Sequence, residues 1–215
     1  MMAILRYAFL KSARDSSLAA FLIITIFTPA AVLAGSTLGK GHLHYPFYMN
    51  VLYTPQQSAE LAGLLALGAS VVFSNIAAFW TFRPEIASRS IGSFLFAARP
   101  LTITLALMVF AVAIGIGGWF GGMALIGALT TAFPPHFALI ALKVAGASVA
   151  ASAVGVLVVT ISAHPTMIVC SYFGSVLLLV PLVEKSKSMQ LLVPVAVSIV
   201  CTALAAFLLE RRCAT

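Results

Sequence analysis

The sequence predicts an all-α integral membrane protein: six transmembrane helices, an N-terminal amphipathic interfacial helix, and a short charged helix between the second and third spans. Three observations predict it. The 215-residue chain is 62% hydrophobic and only 8% charged, with a mean hydropathy of +1.12. A soluble domain carries about 25% charged residues, so this chain cannot cover its surface with polar groups and must face lipid. The apolar stretches recur at span length, about 20 residues each. The basic residues fall between them with a strong bias to one side. This composition excludes a secreted disulfide scaffold, a disordered chain and an ordinary cytosolic enzyme.

Residues 1–17 open the chain. Ile4, Leu5, Ala8 and Phe9 can share a helical face, while Arg6, Lys11, Arg14 and Asp15 supply charge, the pattern of a helix lying along headgroups. The first span covers about 18–38 and exceeds the h-region of a signal peptide, so it reads as a retained helix. Pro29 is expected to kink it. A polar stretch follows, with His42, His44 and the interfacial tyrosines Tyr45, Tyr48 and Tyr53. The second span is about 59–82.

From Leu101 to Phe133 the chain has 33 residues without a charge. As one helix they would extend about 50 Å, against a bilayer core of about 30 Å. The third span is therefore expected over about 101–120. The glycine-rich remainder would be a tilted continuation or a short buried segment, ended by Pro134 and Pro135. The fourth span is about 137–161. His164-Pro165 makes a tight corner into the fifth, about 166–183. The sixth is about 191–209, followed by Glu210, Arg211 and Arg212.

With the N-terminus in the cytoplasm and an even number of spans, the inside segments hold Arg6, Lys11, Arg14, Arg83, Arg89, Arg99, Arg211 and Arg212. The outside ones hold Lys40, Lys185 and Lys187. Eight against three places both termini in the cytoplasm. The net charge of +7 is explained by this bias and not by nucleic acid, which is not an expected partner.

The usual catalytic constellations are missing. Gly35–Gly41 falls one residue short of a Walker A spacing and ends in Gly41 where the motif needs Ser or Thr. There is no H-E-x-x-H, no G-x-S-x-G and no C-x-x-C. His42-x-His44 lacks a third ligand, so no metal site is expected. Cys170, Cys201 and Cys213 are too far apart in sequence for a redox motif and read as small apolar residues or an idle thiol. Asp15, Glu60, Glu85, Glu184 and Glu210 all sit at span ends or in loops, whereas an ion-coupled carrier usually holds an acid inside the membrane. The chain is not expected to be an enzyme. Lys143, about 10 Å into the fourth span, either lines a polar cavity or snorkels to the interface. Gly117/Gly121, Gly118/Gly122 and Ala147/Ala151/Gly155 have the small-x-x-x-small spacing that lets helices approach closely.

The loop from Arg83 to Arg99 is the most charged stretch. Pro84 can start a helix, Glu85 and Arg99 suit its two dipole ends, and Pro100 separates it from the third span. Glu85, Ser90, Gly92, Ser93, Leu95 and Pro100 follow the order of an acid, a small pair, leucines and a proline. With the six-span layout, this loop resembles the membrane subunit of ABC-2 type exporters, and the chain's length and short last turn are closest to haem-exporter-type permeases. The small pair is not Gly-Thr, and a tryptophan-rich haem signature is not evident, with only Trp80 and Trp119 present. The resemblance implies a permease driven by a separate ATP-binding subunit, which would hold the ATP and magnesium, with no cofactor on this chain. It implies a coupling helix docking through Arg83, Glu85, Ile86, Arg89, Ile91, Leu95 and Arg99. It also implies a second permease copy or a related half, and residence in a bacterial inner membrane. The substrate class stays open among lipids, peptides, drugs and haem. The alternatives are a non-transporting membrane assembly subunit or a small secondary carrier.

Overall fold

The computed structural model describes residues 55–88, 99–130, 137–177 and 187–214, together with Arg6, Tyr7, Leu10, Arg14, Ala19, Ala20, Ile23, Ile24, Ile26 and Phe27 of the N-terminal segment. These N-terminal positions are all helical, and Arg6, Tyr7, Leu10 and Arg14 are exposed. The expected apolar face of Ile4, Leu5, Ala8 and Phe9, and the His42/His44 pair, lie outside the described residues. So do Arg89, Ile91 and Leu95.

Among the described residues five further helices follow: α1 (Pro55–Ala87), α2 (Pro100–Thr130), α3 (Phe137–Ile161), α4 (Met167–Leu177) and α5 (Lys187–Ala214). No strand occurs among the described residues. The fold is all-helical. Among the described residues, three stretches are long and apolar enough to cross a membrane: Pro100–Leu125, Phe137–Ile161 and Leu192–Arg212. This is the signature of an integral membrane protein. α1 is long enough, at 33 residues, and the side chains of residues 55–65, the first third of the expected second span and its approach, lie outside the described residues. α4 has only 11 described residues, and the rest of the fifth expected span lies outside the described residues.

α2 continues as one helix to Thr130, through Gly117, Gly118, Gly121 and Gly122, which is one of the two forms the sequence left open for the stretch after Phe120. Glycine lowers helix propensity by about 1 kcal/mol per residue, yet burial of Trp119 and Met123 on the packed face holds the helix through them. α1 does not end at Phe82; it continues past Pro84 to Ala87.

α3 is the central element and packs against each of the other four. In its apolar window 61% of the residues are buried, against 17% in that of α5. Its inward residues are small: Ala147, Ser148, Ala150, Ala151, Ser152, Ala153 and Gly155. A helix lined this way lets its neighbours come close, which replaces the hydrophobic driving force that lipid removes. At Gly155 an added Cβ would stand 2.6 Å from the backbone oxygen of Asn75 on α1. At Gly115 of α2 it would overlap Ser74 Oγ and lie 3.0 Å from Ser70 O. Gly121 of α2 takes Ile26 of the N-terminal segment, at 3.0 Å. The Ala147/Ala151/Gly155 stripe and Gly121 thus serve packing within one chain, whereas a Cβ at Gly117 would meet nothing within 4 Å.

The core divides along the bundle. One cluster gathers Phe79, Phe82, Ile86, Ile103, Ala106, Val156, Val159, Ala205 and Leu209. The other holds Leu67, Val71, Trp119, Met123, Val144 and Ala147. Trp119 stacks at 5.1 Å on Phe137 across the α2–α3 junction. α5 turns Leu192, Val195, Ile199, Val200, Leu204 and Phe207 outward. Exposed apolar residues of this kind are what lipid contact requires.

Candidate functional site

Two places concentrate polar chemistry. The first is the end of the bundle where α1, α3 and α5 finish and α2 and α4 begin. Arg83, Glu85, Arg99, His164, Arg211 and Arg212 collect there.

A helix ends with carbonyls that have no partner inside the helix and carry partial negative charge. Arginines from two other helices supply donors at the end of α3. Arg212 Nη2 on α5 donates to Ile161 O at 2.7 Å. Arg83 Nε on α1 donates to Ala163 O at 3.1 Å, and its guanidinium also lies 5.8 Å from the Trp80 ring centre. The corner itself is closed by Thr166, whose hydroxyl is 2.8 Å from His164 Nδ1.

The structure corrects the sequence reading at Pro84. The proline does not open a separate helix; it sits in the last turn of α1. One turn from the end it costs a single backbone bond. That turn is held by the Ser88 N–H, which donates to Pro84 O at 2.9 Å, and by burial of Ile86. Hence Arg83, Glu85 and Ile86 belong to α1, while Arg99 precedes Pro100 and is exposed.

Glu85 is the second correction. It was expected at a loop, open to a partner; it is 5% exposed. Tyr7 of the N-terminal segment covers it, the phenol donating to Oε1 at 2.9 Å. Partial burial, the hydrogen bond to Glu85 and the charge of Glu85 together raise the Tyr7 phenol above its ordinary value of 10.0.

The second place is a polar seam inside the bundle. Asn75 is fully buried; its Nδ2 donates to Ala151 O of α3 at 2.9 Å, and its Oδ1 accepts from Ser171 Oγ of α4. One amide therefore ties three helices together. Ser70 and Ser74 of α1 turn back onto carbonyls of their own helix, Ala66 O and Ser70 O, at 2.7 Å each. Ser148 and Ser152 of α3 are fully buried and make no hydrogen bond. The seam offers hydroxyls and one amide. It can hold helices in register and line a polar contact. It contains no base next to a serine and so no activated nucleophile. Among the described residues no group of three or more His, Cys, Asp or Glu is placed to hold a metal ion.

Lys143 is half-buried on the first turns of α3, between exposed Leu142 and buried Val144, toward the end opposite the arginines. It does not join the other named residues.

Sequence reasoning missed Asn75, the serines and Tyr7. The seam had a legible signal: serine pairs four residues apart on three helices, Ser70/Ser74, Ser148/Ser152 and Ser171/Ser175, each putting two hydroxyls on one face. Tyr7 had none, since its partner lies 78 residues away.

The chain matches no family model, no curated protein and no solved structure. Fold and site define a class: a compact helical membrane protein with a basic end and a buried polar seam.

Proposed function

We propose that the chain is the membrane-spanning permease subunit of an ATP-driven exporter of the ABC-2 type, docking a separate ATPase at its arginine-rich end. The observation that carries the reading is the gathering of Arg83, Glu85, Arg99, Arg211 and Arg212 at one end of an otherwise apolar bundle. A transport subunit without a nucleotide motif must take its energy from a partner. A rigid, charged end built on helix termini transmits a push better than a loop does. Exposed Arg99 begins the contact, and Arg89, Ile91 and Leu95 continue it. Two copies, or this chain and a related half, would enclose the path for a lipid-like, peptide, drug or haem-like substrate.

The test is co-purification of an encoded ATPase with the chain carrying Arg89→Ala and Arg99→Ala. The expected outcome is loss of association, with the permease still monodisperse in detergent. Unchanged association together with unchanged substrate-stimulated ATP hydrolysis rejects the docking reading.

A second reading is a membrane assembly subunit without a transport path. The burial of Glu85 and Ile86 favours it, because it leaves Arg99 as the exposed member of the described docking residues. ATPase-independent binding of a membrane partner, without nucleotide-dependent transport, distinguishes it.

A further inference from the structure

Among the described residues four buried side-chain polar atoms make no hydrogen bond: Thr81 Oγ1, Trp119 Nε1, Ser148 Oγ and Ser152 Oγ. They are not scattered. One is on α1, one on α2 and two on α3, the three helices that pack against one another. Trp119 lies in one cluster with Leu67 and Val71 of α1 and with Val144 and Ala147 of α3. Ser148 and Ser152 follow along α3, one turn apart and on one face. Thr81 shares a face of α1 with Ser70 and Ser74.

A helical serine or threonine can satisfy its hydroxyl on the carbonyl four residues before it. Ser70, Ser74, Thr104, Thr160 and Ser198 all do so. Ser148 and Ser152 do not. Ser148 Oγ stands against α2 instead. Around the point that a Cβ of Gly115 would occupy, Ser74 Oγ fills the space, Ser148 Oγ is 2.9 Å away and Ser70 O is 3.0 Å away. Three oxygens from α1 and α3 thus converge at the notch left by a glycine of α2. Ser74 has given its proton to Ser70 O and keeps lone pairs to accept with, whereas Ser148 still has a proton to donate. One buried hydroxyl left unsatisfied costs the folding equilibrium about fivefold or more. Four such groups along one interface are a heavy load for a marginally stable bundle, unless a partner completes them.

We propose that the α1–α2–α3 seam binds ordered water, one molecule held at Gly115 by Ser148 Oγ, Ser74 Oγ and Ser70 O, with the hydration continuing to Ser152 one turn further along α3. Water accepts from Ser148 and donates to Ser74 Oγ and Ser70 O, which gives it the two to four partners a buried water takes. The oxygens are neutral and offer a cation no counter-charge, so the set suits water and not a metal ion. The site does not depend on the docking reading and stands or falls without it.

The experiment uses the full chain in lipid bilayers and solid-state NMR that transfers magnetisation from water to the protein. Ser74, Ser148 and Ser152 should receive water magnetisation at short mixing times. Ala150 and Ala153, fully buried on the same helix, should not. Ser148→Ala should abolish the transfer at Ser74. It should also lower the folded-to-unfolded ratio in mixed detergent and SDS about two- to tenfold, the loss of one hydrogen bond. Ser198→Ala, whose hydroxyl bonds to Pro194 O of its own helix, should leave that ratio nearly unchanged. Ser148 and Ser152 that receive no more water magnetisation than Ala150 and Ala153 overturn the proposal, and this readout needs only the parent chain. A Ser148→Ala variant that raises the ratio also overturns it, because removing a hydroxyl that nothing satisfies is a gain.

Discussion

At Gly155 and Gly115 single missing side chains decide how near two helices can stand. A Cβ at 155 meets backbone, the Asn75 carbonyl, which cannot rotate away. Gly155→Ala should therefore push α1 off α3 and destabilise the chain by about 1–3 kcal/mol, the usual cost of overpacking. Gly117 and Gly68 have nothing within 4 Å of the built Cβ. Gly117→Ala should be neutral or stabilising by up to about 1 kcal/mol through helix propensity. Denaturation in mixed detergent and SDS checks both, and equal effects at the two positions contradict the packing argument. Tyr7 gives a second residue-scale outcome. Its phenol is raised by burial first, then by the bond to Glu85 and by its charge. The fold thus favours the neutral form. The stability this adds is complete below the unfolded-state value near 10 and is lost as pH rises through the higher folded value. Carbon-13 tyrosine spectra should show Tyr7 as the resonance removed by Tyr7→Phe. It should titrate above the ordinary tyrosine range and move down toward it in Glu85→Gln, which removes the charge. A Tyr7 resonance that titrates normally in the parent contradicts the contact.

The helices show what a sequence can and cannot carry. The all-helical class was legible because lipid imposes it: apolar runs of this length have no other way to satisfy their backbone. The start of α2 was legible because Pro100 removes an N–H that a first turn does not use. The end of α1 was not, since a proline looks the same whether it opens a helix or sits in a last turn. The choice at Pro84 is made by tertiary contacts: Ile86 in the core, Glu85 under Tyr7, and Arg83 on Ala163 O. The burial of Glu85 was illegible for the same reason. The seam was legible in spacing but not in partners, because Asn75 meets Ala151 and Ser171 only after three helices have packed. The corner between α3 and α4 follows this logic. Two arginines from distant helices hold carbonyls at the end of α3, so Arg83→Met with Arg212→Met should loosen it. Hydrogen exchange at residues 162–168 should quicken, at a stability cost of about 1–2 kcal/mol, the lower range for bonds to charged groups because Arg212 is exposed. Unaltered exchange there would mean the corner is held by its own backbone turns alone.

On the scale of the whole molecule the bundle is polarised along its length. The described arginines of α1, the start of α2 and the end of α5 lie at one end, while Lys143 lies toward the other. Moving an arginine across a bilayer during insertion is costly, so the basic end stays on the side of synthesis. Arg6, next to Tyr7, is brought to the same end by the Tyr7 contact. We therefore expect the arginine end, and both termini, in the cytoplasm. With native cysteines replaced, Ser88→Cys should react with a membrane-impermeant maleimide only after the inner face is opened. Ser186→Cys, the residue before α5 in sequence, should react in intact cells. The pair also tests the span count, because Ser88 and Ser186 are on opposite faces only if an odd number of crossings separates them. Between them lie α2, α3 and α4, which makes three if each crosses. Labelling of both sites from the same side would mean that one of these does not cross. The short α4 would then be the element to re-examine, as it has only 11 described residues against the about 20 that a full crossing takes.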